Sequence, residues 1–374
     1  MRFALPKAWY LVIKEFHSLL ADPVLLALIV YVFTFAIYSI STGISFEVEH
    51  ASVAIVDDDH SELSRRIAGA LLEPYFRPAV VIDAREVDGA MDSGRFVFVI
   101  EFPPNFEADV LADKGPTIQV NVDGTAPTLA GNGNVYLQSI ISREVASFVS
   151  RDSGTVHQPI NLVSRAKFNP NYRSVWFTAI MQVINNISIL SIILTGAALI
   201  REREHGTIEH LLVMPVTPME IMLSKIIANG FVIICAAVLS LFLVVQGLLH
   251  VPITGSVGLF IFGAILFEFS VTALGILIAT YVNTMGQFGL LSVPVIVILY
   301  LLSGGVTPLE TMPIWLQNIM RFTPNTQFVS FAQATLYRGA GLEIVWPQLA
   351  ALVAIGMVTL LICLLRFRKV VSST

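Results

Sequence analysis

The chain has 374 residues, 55% of them hydrophobic and 13% charged, with a net charge of −5. Soluble domains carry about 25% charged residues, so a soluble fold is excluded, as are collagen, disorder and a disulfide scaffold, given 24 Gly and 2 Cys. What remains is an integral membrane protein whose charge is unevenly placed: residues 45–174 hold 18 acidic and 11 basic side chains, a net −7, and the rest carries +2.

Residues 1–23 place Trp9, Val12, Ile13, Phe16, Leu19 and Leu20 at helical spacing. They predict an amphipathic helix in the cytoplasmic interface, either a plain anchor or a wall of a lateral gate. Asp22-Pro23 ends it and turns the chain into the membrane. Crossing ~30 Å of hydrocarbon takes about 20 apolar residues. The first span is 24–44, and its length and the lack of an A-x-A site mark it as an uncleaved anchor.

Residues 45–174 read as an α/β domain held between two spans. Strands are expected at Ser52–Val56, Val80–Ile82, Phe96–Ile100 and Thr117–Val122. Helices are expected after Asp59, the predicted N-cap, then over Ala84–Asp92, Pro104–Ala112 and Leu129–Val149. Asp57, Asp58, Asp59 and His60 resemble a metal cluster, but a strand end plus helix cap explains them without a metal, and no ligands follow at a recognisable spacing. Arg65-Arg66 reads as a solvated helix face.

Residues 175–365 supply five more spans: Val175–Ile200, Ile226–Leu249, Val257–Val282, Phe288–Ser303 and Pro347–Leu365. Cys235 and Cys363 fall inside spans as small apolar fillers. Lys and Arg cluster in the N-terminal 23 residues, in 201–225 and in the 366–374 tail, and are absent from Glu47 to Ser64. The positive-inside rule then puts both termini and 201–225 in the cytoplasm, with 45–174 and 304–346 outside. Segment 304–346 carries apolar clusters (Trp315, Leu316, Ile319 and Met320, then Phe328, Phe331 and Leu336) punctuated by Pro308, Pro313 and Pro324. It reads as two short helices that dip into the outer leaflet.

Polar groups inside the spans are few. Glu268 sits mid-span, where a carboxylate costs about 2.5–3.5 kcal/mol on insertion scales, so it should face other helices or water. Gln182, Asn185 and Asn186 form a polar patch in the second span. Each is a candidate for a substrate or gating path, and interhelical hydrogen bonding is the plainer account of the amides.

The 201–225 loop is the most informative stretch. A helix continuing through Arg201-Glu202-Arg203-Glu204 can close at Gly206. Thr207 caps a short helix with Glu209 in its first turn and Leu211-Leu212 on its apolar side, and Pro215 stops it. Thr217-Pro218-Met219-Glu220 is a capping box that opens the third span. Such a segment is either a well-capped loop or a rigid knob that fits a cytoplasmic partner and passes force to two spans.

The run Glu202-Arg203-Glu204-His205-Gly206-Thr207-Ile208-Glu209-His210-Leu211-Leu212 with Pro215, Pro218 and Glu220 resembles the signature of ABC-2 type permeases, in which it forms the coupling helix that docks into the ATPase. Weaker matches run along nearly the whole chain. They include Lys14-Glu15-Phe16 and Asp22-Pro23, Asn169-Pro170, and Leu302-Ser303-Gly304-Gly305 with Pro308 and Trp315-Leu316, which resemble the family at large, and Val56-Asp57 and Asp123-Gly124-Thr125, which resemble the extracytoplasmic domain of its long, drug-efflux-like branch. Two features depart from it: Ala21 stands where many members have Arg, and Thr178-Ala179-Ile180 replaces a frequent Pro-Gly.

The resemblance implies a six-span α-helical permease with an extracytoplasmic α/β domain, in a bacterial inner membrane. It implies a small hydrophobic or amphiphilic substrate, a second permease copy or paralogue, and a periplasmic membrane-fusion adaptor. No P-loop pattern occurs, so no cofactor is expected in this chain, and ATP and Mg belong to a partner ATPase. Nothing points to nucleic acid. A competing reading is an envelope receptor or organising protein on the same scaffold without transport, and an enzyme is third because no catalytic constellation is visible.

Overall fold

The computed structural model describes residues 5–43, 50–123, 127–153, 173–204 and 217–371. They form two compact units, one of residues 1–44 and 175–374 and one of residues 45–174. Among the described residues, six helices are long and apolar enough to cross a membrane: Pro23–Gly43, Ser174–Glu204, Pro218–Leu248, Val257–Ala279, Met285–Leu302 and Leu342–Arg366.

The six spans match the expected order, with shifted ends. The second runs four residues beyond Ile200, because Arg201–Glu204 continue the helix. The third starts at Pro218 rather than Ile226. The sixth starts at Leu342 and carries Pro347 inside it, where the missing N–H removes one bond of the ladder.

The second span is the buried axis of the membrane unit. Ile180, Val183, Ile184, Ile187 and Ile192 are all fully enclosed. The fourth span crosses it at Gly275, where a Cβ would stand 2.9 Å from both Cα and O of Ile192. Lipid tails are as apolar as the helices, so association depends on close backbone approach and interhelical hydrogen bonds. Such bonds join Asn229 Nδ2 to Thr195 Oγ1 (3.2 Å), Ser270 Oγ to the Leu352 carbonyl (2.6 Å) and Asn325 Nδ2 to Ser188 Oγ (3.0 Å).

Segment 304–346 contains short helices Ile314–Met320 and Pro324–Ala332, the latter continued by a π turn, Gln333–Tyr337. The second short helix is seated by aromatic packing. Phe328 stacks on Phe267 of the fourth span with ring centroids 4.2 Å apart and lies 5.7 Å from Phe331. Tyr337 donates its hydroxyl to the Trp176 carbonyl at 2.8 Å, closing the segment onto the start of the second span.

The 45–174 unit holds a four-stranded sheet of order β2-β1-β3-β4, with β1 Val53–Asp57, β2 Val80–Val81, β3 Phe98–Phe102 and β4 Gln119–Val122. β1 pairs in parallel with β2 and β3, in register Ala54↔Val80 and Ile55↔Ile100, and β3 pairs antiparallel with β4, Val99↔Asn121. Side chains alternate between the faces. Val53, Ile55, Phe98 and Ile100 pack with Leu63, Ile67, Phe106 and Leu137, whereas Ala54, Val56 and Val99 pack with Val87 and Ala90.

Local assignments needed correction here. The helix Glu62–Ala70 is capped by Ser61, whose hydroxyl accepts from Ser64 N, and not by Asp59. Asp59 instead accepts from Glu107 N at 3.0 Å, and Glu107 returns a carboxylate to Leu63 N at 2.9 Å. Two helix N-termini thus exchange caps across 48 residues. Asp57 accepts from His60 N and Ser64 Oγ. Arg66 is no solvated face residue: its Nε pairs with Glu144 at 2.7 Å and its Nη2 with Ser147, on the long helix Pro127–Ser153. The region over Ala84–Asp92 splits into a 3-10 turn and the helix Val87–Asp92, and the helix expected from Pro104 begins at Phe106.

Candidate functional site

The predicted coupling segment lies mostly in 205–216, so Gly206, Thr207, Glu209, Leu211, Leu212 and Pro215 fall outside the described residues. Its two limbs are described. On the far limb, Thr217 caps the third span and accepts from Glu220 N at 3.3 Å. The Glu220 carboxylate returns to Thr217 N at 2.6 Å, and Pro218 occupies the first turn. The reciprocal bonds fix the point at which the loop re-enters helix.

On the near limb, four charged residues each find a different neighbour. Arg201 stands 3.8 Å from Asp22. Arg203 donates to the Val282 carbonyl at 2.7 Å and to Asn283 Oδ1 at 3.1 Å, and Glu204 accepts from Met285 N at 2.8 Å. These three bonds hold the limb to the turn between the fourth and fifth spans. Glu202 points the other way, into the protein.

There Glu202 meets a buried ion cluster. Lys225, two turns into the third span and 1% exposed, places Nζ 3.0 Å from Glu202 Oε2 and 3.1 Å from Glu15 Oε1. Lys14 lies 3.0 Å from Glu202 Oε1 and 3.5 Å from Glu15. Two carboxylates and two ammoniums alternate, so the cluster is neutral and the buried Glu15 and Lys225 and the largely buried Glu202 are compensated where water is scarce. Burial works against the Lys14 ammonium, but the Glu202 carboxylate and then Glu15 outweigh it and hold its pKa above the ordinary lysine value. A cavity of about 350 Å³ adjoins the cluster, walled by Leu25, Leu28, Leu194 and Ala197.

The N-terminal helix Leu5–Leu20 is positioned to make this contact by its two stripes. Val12, Glu15 and Leu19 are buried, with Val12 and Leu19 packing on Ala228 of the third span. Trp9, Ile13 and Leu20 form an exposed apolar stripe beside them. Asp22 then accepts from Leu25 N, capping the first span with Pro23 in its first turn, as the Asp-Pro pair predicts.

Sequence reasoning had Glu202 in view for its motif, but it missed the partnership with Glu15, Lys14 and Lys225. The signals were present: Glu15 falls between Val12 and Leu19 on one helix face, and Lys225 stands alone in the apolar run Ile221–Ile227.

The amide patch is an interhelical network on the second span. Gln182 Nε2 donates to Asn186 Oδ1 at 3.0 Å, and Asn186 Nδ2 donates to the Val32 carbonyl at 2.7 Å. Val32 opens a π turn, Val32–Ala36, in the first span. The Asn186 amide therefore ties the second span to the first at the residue where the π turn begins. Asn185 is buried beside them. Asn186→Leu is expected to lower stability by about 1–2 kcal/mol, because it removes the interhelical bond to Val32 and leaves the buried Gln182 amide without its acceptor. A lowered melting midpoint of the detergent-solubilised chain measures it, and an unchanged midpoint refutes it.

Glu268 is apart from both groups. Its side chain is buried on the fourth span and its Oε1 accepts from Thr272 Oγ1 one turn on. The other oxygen lies over Gly230 of the third span, so close that any Cβ there would collide with it.

The comparisons agree on family. The model of the family described as ABC-2 family transporter protein matches residues 23–365. The inner membrane transport permease YhhJ of Escherichia coli K12 is 50% identical over 96% of this chain and 96% of its own length. The probable multidrug ABC transporter permeases YbhR and YbhS of the same organism are 28% and 27% identical. They cover 94% and 88% of this chain and 96% and 88% of their own lengths. A family match spanning the coupling-loop limbs, the Asp-Pro-capped first span and all six membrane helices, together with half-identity to an inner membrane permease, leaves one assignment: the chain belongs to the ABC-2 family of transporters.

Proposed function

We propose that the chain is the membrane-spanning subunit of an ATP-driven exporter, powered by a separate ATPase that docks on the 201–225 loop. The observation that carries this reading is the way both limbs of the loop are fastened. Glu202 and Lys225 bind the second span to the third and to the N-terminal helix, while Arg203 and Glu204 bind the second span to the turn before the fifth. A push on the loop therefore reaches the N-terminal helix and four spans through short polar contacts rather than through slack chain. The residues assigned to the docking contact or its support are Glu202, Arg203, Glu204, Gly206, Thr207, Glu209, Leu211, Leu212, Pro215, Pro218 and Glu220.

In this reading both termini and the loop are cytoplasmic, and residues 45–174 and 304–346 lie outside the inner membrane. The transported molecule is small and hydrophobic or amphiphilic, in keeping with the multidrug designation of the more distant relatives. Two permease chains, identical or paralogous, form one pathway, ATP and Mg reside on the ATPase, and the exported α/β domain hands substrate to a membrane-fusion adaptor.

Replacing Thr207–Leu212 with a Gly-Ser run of equal length is expected to abolish co-purification of the ATPase while the chain still inserts and elutes as before. Undiminished ATPase binding after that replacement overturns the docking assignment.

A further inference from the structure

The third and fourth spans enclose a groove of about 540 Å³ whose walls include Ile226, Ile227, Phe231, Ile265 and Phe269. Its one acidic lining residue is Glu268. Ile227, Phe231 and Ile265 are exposed at its mouth, so on a membrane-spanning unit the groove opens toward lipid. Volumes of 300–1,000 Å³ are typical of small-molecule sites.

The carboxyl is not explained by helix packing. Among the described residues no basic side chain forms an ion pair with Glu268, and its hydrogen-bond partner is the Thr272 hydroxyl on its own helix. The opposing residue is Gly230, which leaves space for the carboxyl and supplies no side chain to satisfy it. Bare carboxylates in spans are costly and persist where a ligand or ion uses them. An apolar ligand gains nothing from a carboxylate, and an anion is repelled by it. A delocalised monocation with aromatic or alkyl substituents meets all the features: its substituents fill the apolar walls, its charge offsets that of Glu268, and Phe231 and Phe269 are among the aromatic lining.

We infer that the groove over Gly230 and Glu268 is a binding site for lipophilic organic cations that enter from the membrane. This deepens the exporter reading and rests on it for the site's purpose, but binding itself does not depend on an ATPase.

The test uses the full-length chain in nanodiscs of zwitterionic lipid, without ATPase, and two probes of matched size and opposite charge, tetraphenylphosphonium and tetraphenylborate. Equilibrium dialysis against empty nanodiscs is expected to show saturable binding of the cation and none of the anion. Glu268→Gln, nearly the same shape, is expected to weaken cation binding at least tenfold, and Glu268→Asp to retain it within a few-fold. Equal binding of both probes, or unchanged cation affinity in Glu268→Gln, overturns the inference. If Glu268→Gln fails to yield folded protein, the cation-over-anion preference of the unaltered chain decides.

Cys235 lies in the groove wall, so copper-phenanthroline oxidation also reports on a second copy. High-yield Cys235–Cys235 cross-linking would show the groove closed by another chain and would overturn the inference. Loss of ATPase docking touches only the exporter reading, and loss of charge preference touches only this one.

Discussion

Lys225→Met is expected to give a chain that inserts but melts far below the parent and no longer drives efflux. The Lys225 side chain is 2% exposed and serves two carboxylates at 3.0 and 3.1 Å. Methionine fills similar volume, so the loss is electrostatic. Glu15 and Glu202 are left sharing the more exposed Lys14, and breaking a buried pair in this way costs about 3–5 kcal/mol. The double change Glu15→Met with Lys225→Met removes one charge of each sign and leaves the Lys14–Glu202 pair at 3.0 Å. Its stability is expected to recover to within about 1 kcal/mol of the parent, because apolar replacement of a buried ion pair is near neutral. Efflux should not recover, since the link between the third span and the N-terminal helix is gone. Melting midpoints and ATP-dependent substrate accumulation in inverted vesicles check the two halves separately. A Lys225→Met chain that melts with the parent refutes the account of the cluster.

Gly275→Val is expected to be nearly as damaging, for a reason unrelated to charge. At this crossing the neighbours of a new Cβ are backbone atoms, Cα and O of Ile192 at 2.9 Å, and backbone cannot rotate aside. The second and fourth spans must separate, which loosens packing along the axis of the unit. Gly275→Ala is expected to cost about 1–3 kcal/mol, the usual range for overpacking, and Val more. Gly289→Ala on the fifth span is the control, since nothing stands within 4 Å of its Cβ position. Monodisperse yield after detergent extraction ranks the three. Equal yields from Gly275→Val and the control would refute the close-packing argument.

Much of the fold was legible because its causes are local. Six apolar stretches of sufficient length mark six spans, since no other backbone form but a closed barrel satisfies its hydrogen bonds in hydrocarbon. Thr217 to Glu220 announces a helix start within four residues, and the capping box is formed as the spacing implies. Asp22-Pro23 is equally local. The misplaced cap at Asp59 shows the limit. Asp59 and Ser61 both suit a helix N-cap, and the choice is made by Glu107, which offers its own backbone N–H to Asp59 and its carboxylate to Leu63.

The sequence by itself determined the membrane class, the number and order of spans, the mixed domain between the first two, and the family through the 202–220 motif. These follow from hydropathy and from hydrogen bonds closed within a few residues. Tertiary structure decided which polar groups meet. Glu15 and Lys225 are 210 residues apart, and Asn186 and Val32 are 154 apart, yet each pair is in contact. Their meeting depends on how far each helix is rotated about its axis, which is set by packing at places such as Gly275 and Val12, not by the charged residues. The same rotation turns Glu268 toward Gly230 and the apolar groove, and leaves it without an ion-pair partner among the described residues.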